Sequence, residues 1–208
     1  MRVKSKWHKD AVKTVDEIAS ALAFNTWRIT KNNLEDLINE GFTVEKDQVF
    51  GVISEYLCFL IQCVDRLIFQ KISSDKRRQI LILLARQSAD YFHEEKTERI
   101  GEGSHWDEFV NLYNSRAQDY SEFGFNLDGP DYHFLRYFAE KTKSVMTQLD
   151  EKWVVQQMIE IQAPKAFDEI NKSVENLMQV KEIVSKEEKE KRKSEKIPRS
   201  KRNLKTDS

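Results

Sequence analysis

Apolar residues along this chain recur every three or four positions, the spacing that gathers them on one side of a helix. Between residues 8 and 40 they fall at Ala11, Val12, Val15, Ile18, Ala19, Leu22, Ile29, Leu34, Leu37 and Ile38, predicting a helix that ends at Gly41, a residue suited to a C-cap. Asn32-Asn33 leaves two readings there, one long helix or two shorter ones. A second helix is predicted over residues 46–71; from Tyr56 to Phe69 it is apolar round most of its circumference, which places it at the centre of the fold. A third is predicted over residues 75–100, starting behind Ser73-Ser74 and stopping at Gly101-Glu102-Gly103. Ser104 opens a fourth, spaced from Asp107 as in a capping box, with Trp106, Phe109, Val110, Tyr113, Ala117 and Tyr120 as its apolar stripe.

The run FGFNLDGPD, residues 123–131, reads as a loop because Gly124, Gly129 and Pro130 favour turns over regular structure. Beyond it, Phe134, Phe138, Thr142, Val145 and Leu149 mark a fifth helix, and residues 153–161 either extend it or pack separately. Pro164 suits the first turn of a last helix that turns Phe167, Ile170, Val174, Leu177 and Met178 inward. From Lys186 onward apolar residues almost vanish, so a frayed helix fading into disorder is expected.

The pattern thus predicts an all-α protein, a single helical domain over residues 8–185 with five to seven helices in bundle-like or orthogonal packing. A basic N-terminal arm, residues 1–7, precedes it, and a basic disordered tail, residues 186–208, follows. Composition agrees. Six glycines and three prolines in 208 residues are too few for many tight turns between strands, while 39% hydrophobic residues suffice for one core. The longest apolar runs, YLCFLI from Tyr56 and ILILLA from Ile80, are six residues long, whereas a membrane helix needs about 20. Cys58 and Cys63, five apart on one predicted helix, point to different sides and cannot bridge, so two free thiols and a cytoplasmic setting are expected.

The net charge of −1 conceals an uneven distribution. Lys and Arg stand against Asp and Glu as 4 to 0 in residues 1–9, 19 to 29 in residues 10–180, and 11 to 6 in residues 181–208. An acidic body is a poor platform for phosphates, so nucleic acid is a partner only through the basic ends.

Candidate chemistry is sparse. HEEKT, from His93, fails the zinc-protease pattern because Thr97 stands where a second histidine is required. Asp90 and His93 share a helix face, and His105 and Asp107 follow across the glycine turn, a weak candidate metal set. Arg86, Asp90, His93 and Thr97 nevertheless lie opposite the apolar line of their helix, so that face is expected in solvent or against another chain. On the central helix Glu55, Gln62 and Arg66 form a polar line, a candidate binding seam in which a buried Arg66 requires a partner. Lys76-Arg77-Arg78 sits unfavourably near a helix start, with Asp75 its evident surface partner. The aromatic residues from Tyr113 to Phe138 are expected to pack beneath the mid-chain loop.

With no reactive constellation, the function expected is a non-enzymatic binding or protein–protein interaction module, with a homo-oligomer expected and a protein partner or a second copy as what it binds. No cofactor and no membrane partner are expected. The alternatives are a helical metal- or ligand-binding enzyme using Asp90, His93 and His105, and a nucleic-acid-associated protein acting through its ends.

Overall fold

Thr14 fixes where the first helix begins. Its hydroxyl accepts from the Glu17 N–H at 3.1 Å while the Glu17 carboxylate accepts from the Thr14 N–H at 2.8 Å, a reciprocal cap that satisfies donors the helix leaves free. The computed structural model describes residues 12–69, 71–126, 128–146 and 151–195. In it α1 runs Val15–Asn39 without a break at Asn32-Asn33. Asn33 is buried, and its amide donates to the Ile29 carbonyl at 2.9 Å, so the side chain finds a partner within the helix. The expected start near residue 8 is corrected. Val12–Thr14 form a strand, β1, paired in parallel with β4, Glu182–Val184, because the cap at Thr14 holds that residue extended. The arm, residues 1–7, lies outside the described residues.

The second helix, α2 (Val49–Ile68), is central as its composition predicts. It packs against α1, against α3 (Ser74–Ile100), α4 (His105–Tyr120), α5 (Tyr132–Ser144) and α7 (Ala163–Met178). Its residues from Val52 to Val64 are all buried, each large apolar side chain contributing roughly 1.5–3 kcal/mol by leaving water. Phe59 stacks on Phe138 of α5 at 4.4 Å, and Tyr56 meets the same ring edge-on at 4.9 Å. Cys58 and Cys63 are free and buried here, and burial pushes both thiols well above their ordinary range.

α1 and α3 run side by side in the same direction, joined by Gln87–Ser20 at 3.0 Å and Lys31–Glu95 at 2.5 Å. α7 runs antiparallel to α1, with Asn25 bonded to Ser173 and Asp36 to Lys165. α6 (Glu151–Gln157) passes through one π-turn, Met158–Gln162, directly into α7, so the segment from residue 153 belongs with the last helix. Pro164 lies in the first turn of α7, as expected. A proline ring would crowd the carbonyl four residues back in a regular α-helix, and the wider π-turn just before it relieves that contact. Counting α6 to α7 as one rod, seven helical rods stand among the described residues, in an all-α domain.

Two local expectations need adjustment, at the mid-chain loop and at the start of α4. The mid-chain loop contains a short hairpin, β2 (Phe125–Asn126) against β3 (Gly129–Pro130), with the backbone of Gly129 pressed on the Phe167 ring. Ser104 makes no side-chain cap at α4, since its backbone is not extended there (φ −78°, ψ 44°); His105 Nε2 instead bonds the Gly101 carbonyl at 2.9 Å. From Lys186 the expected helix is present as far as Glu195 (α8), tied to the body by Lys189–Glu17 and to β4 by Arg192–Glu182. The rest of the expected tail lies outside the described residues.

Candidate docking groove

The polar line on α2 is divided among different partners. Glu55, 1% exposed, is held by Arg116 of α4, with Nη2 to Oε1 at 2.6 Å and Nε to Oε2 at 2.9 Å. Arg66 donates through Nη2 to the Tyr120 carbonyl at 3.2 Å, while its Nε is buried without a partner. Gln62 is buried and makes no side-chain hydrogen bond among the described residues. Asp65 turns away from Arg66 and pairs with Arg77 of α3, both oxygens at 2.6 Å. The line therefore works as cross-links between helices. It offers no open seam for a ligand.

The face holding Arg86, Asp90, His93 and Thr97 is only partly covered: Arg86 and Asp90 are exposed, as expected, whereas His93 and Thr97 are half-buried. Gly101, at φ +110°, ends α3 and reverses the chain, which lays α4 back across that face. Trp106 Nε1 donates to Asp90 Oδ1 at 2.9 Å, Lys96 pairs with Glu108 at 2.7 Å, and the rings of His93 and His105 come within 6.1 Å. His93 Nδ1 is buried and unpartnered. Asp107 is exposed. Among the described residues no group of three or more His, Cys, Asp or Glu side chains is placed to hold a metal ion. The four candidates are brought to one hairpin, but Asp90 and His105 are already engaged by Trp106 and Gly101.

Along the same hairpin, Trp106 also lines an opening between α3 and α4. Between them, and the end of α2, lies a groove of about 520 Å³ open to solvent. Leu81, Ile82 and Ala85 of α3 face Trp106, Val110 and Tyr113 of α4 across an apolar floor. Ile82 is 46% exposed, and the other floor residues are half-buried. Arg77, Arg78 and Arg86 of α3 stand along one rim, with Asn114 on the other. Arg77 is spent on Asp65 and on the Phe69 ring, 4.8 Å away. Arg78 has only a loose contact with Asp75, 3.7 Å between two strongly exposed side chains, and Arg86 makes no ion pair among the described residues. The sequence carried one signal of this rim, the unexplained Lys76-Arg77-Arg78 cluster. It also holds the series Arg78, Ile82, Arg86 at helical spacing, whose meaning depends on where α4 ends up.

Compared with protein-family models, curated proteins and solved structures, the chain matches none. Its functional reading rests on the geometry. No helix among the described residues is long and apolar enough to cross a membrane.

Proposed function

We propose that this chain is a non-enzymatic protein-interaction module whose α3–α4 groove receives a partner's helix. The observation that supports it is the groove itself: an apolar floor left open between two helices and rimmed by arginines, on a body whose Glu55 and Asp65 carboxylates are already engaged by Arg116 and Arg77. Apolar floors with polar rims are how helix-in-groove recognition is built. Reactive chemistry has less support, because Asp90 and His105 are committed to Trp106 and Gly101 and the Cys58 and Cys63 thiols are buried and hard to ionise.

The test compares three forms of the full chain as bait in a cell extract: the natural sequence, Ile82→Glu in the groove, and Phe24→Glu at an exposed position on α1. A protein retained by the first and third but not the second is expected. Capture that survives Ile82→Glu, or no capture at all, would count against the groove.

A further inference from the structure

The two exposed arginines of the rim, Arg78 with its loose contact to Asp75 and Arg86, say what kind of helix the groove fits. Arg78, Ile82 and Arg86 are spaced by four and four, so they form one exposed line along α3 with an apolar residue midway between two cations. Eight residues of helix span about 12 Å, which sets the separation of the two charges. A helix lying along this line meets them with carboxylates two turns apart and fills the floor over Ile82 with an apolar side chain between them.

We infer that the partner is an acidic amphipathic helix carrying the pattern acid, three residues, large apolar residue, three residues, acid, with the apolar side chain over Ile82 and Val110 and the carboxylates on Arg78 and Arg86. This rests on the groove reading above and adds the partner's chemistry. Guanidinium groups match carboxylates in a paired, planar geometry, so the rim selects for charge as well as shape. The remainder of the body contributes discrimination: residues 10–180 hold 19 basic against 29 acidic side chains, and an acidic helix is repelled from most of that surface.

A second copy of this chain does not supply the pattern. The exposed large apolar residues of the described chain lack carboxylates on both sides at four-residue spacing; Phe24 lies between Ser20 and Arg28, Ile161 between Gln157 and Lys165, and Tyr132 between Asp128 and Arg136. The complementary helix is therefore assigned to a different protein.

The experiment uses the full chain and two labelled helical peptides of about 16 residues, constrained by a side-chain staple because free helices of that length are marginal. One carries Glu, Leu and Glu at the two four-residue steps; the other carries Lys, Leu and Lys. Fluorescence anisotropy is read at about 50 and about 300 mM salt, where screening of exposed charges differs strongly. The glutamate peptide is expected to bind about tenfold or more tighter at low salt, with the gap narrowing at high salt. In Arg78→Glu/Arg86→Glu, two exposed substitutions whose folding is checked by circular dichroism, the preference should reverse to the lysine peptide. Equal binding of both peptides, lost in Ile82→Glu, overturns the acidic partner and leaves the groove reading intact. Binding of neither peptide overturns both. Concentration-dependent dimerisation abolished by Ile82→Glu, or phosphatidylserine vesicles bound through Arg78 and Arg86 in place of the peptides, would overturn it in favour of a second copy or a lipid surface.

Discussion

Arg116 reaches across 61 residues of sequence to hold Glu55 through both Nε and Nη2, at 2.6 to 3.1 Å, and Glu55 is all but excluded from water. The pair fastens α4 to the central helix α2, and α4 is one wall of the groove. A structural ion pair thus positions the docking surface without belonging to it.

Removing one member alone leaves a buried charge uncompensated. Arg116→Ala is expected to cost about 3–5 kcal/mol in urea unfolding, while Arg116→Met with Glu55→Leu should recover most of that loss, because the desolvation cost disappears together with the attraction. The comparison of midpoints at unchanged denaturant slope checks it. A single variant no worse than the double one would show that the carboxylate had found another partner or water.

Glu95 makes a pH-dependent link between the two parallel helices. Burial raises its carboxyl, but the Lys31 hydrogen bond, together with the charges of Lys31 and Arg99, outweighs burial and holds it below the ordinary range. A group whose folded pKa is depressed contributes stability above its unfolded value, about 4.3 for Glu, and loses it as pH falls through the folded value. The advantage of the natural chain over Glu95→Gln should therefore be constant near neutrality and shrink below about pH 4.5. Urea midpoints taken across that range test the sign. An advantage that grew on acidification would contradict it.

Much of this architecture was legible in the chain, and the parts that were not share a cause. The helices carrying long apolar stripes were readable, and α2 was placed at the centre because residues 56–69 are apolar almost all round. What periodicity on one helix does not reveal is which other helix covers a given side. His93 sits opposite the apolar line of α3, so it reads as solvated until Gly101 folds α4 alongside and half-buries it, while Arg86 and Asp90 on the same face stay exposed. Half-buried Arg66 finds its acceptor in the Tyr120 carbonyl at the end of α4, and main-chain acceptors have no sequence signature. The groove is invisible for the same reason: Arg78, Ile82 and Arg86 form an ordinary amphipathic line until α4 supplies the opposite wall. β1 is too short to alternate, and its pairing is set by β4, which begins 170 residues later.

Gly129 is held where no other residue fits comfortably. Its φ is +122°, and a Cβ built there would lie 2.5 Å from one carbon of the Phe167 ring and 2.8 Å from the next. Backbone strain and overpacking each cost about 1–3 kcal/mol, so Gly129→Ala should destabilise by at least about 2 kcal/mol. Combining it with Phe167→Leu should return part of the loss, since the ring carbons under the new methyl are removed; the strain component stays. Full additivity of the two variants would mean that the clash is relieved by backbone movement instead.

The start and the end of the described chain form one clasp, and a single carboxylate joins its parts. Glu17 accepts the Thr14 N–H in the cap of α1 and also receives Lys189 from α8, directly beside the β1–β4 ribbon. An isolated pair of three-residue strands is marginal in water, so the ribbon depends on these flanking contacts. Thr14→Ala removes the hydroxyl half of the cap and should cost about 1 kcal/mol. Lys189→Met leaves the cap intact and removes only the link to α8, an exposed type of pair that contributes little to global stability. The expected signature is therefore local: faster hydrogen exchange at residues 12–14 and 182–184 together in Lys189→Met, with the exchange of α2 unchanged. Exchange that rises in β4 alone would show that α8 steadies its own neighbour without holding the two ends together.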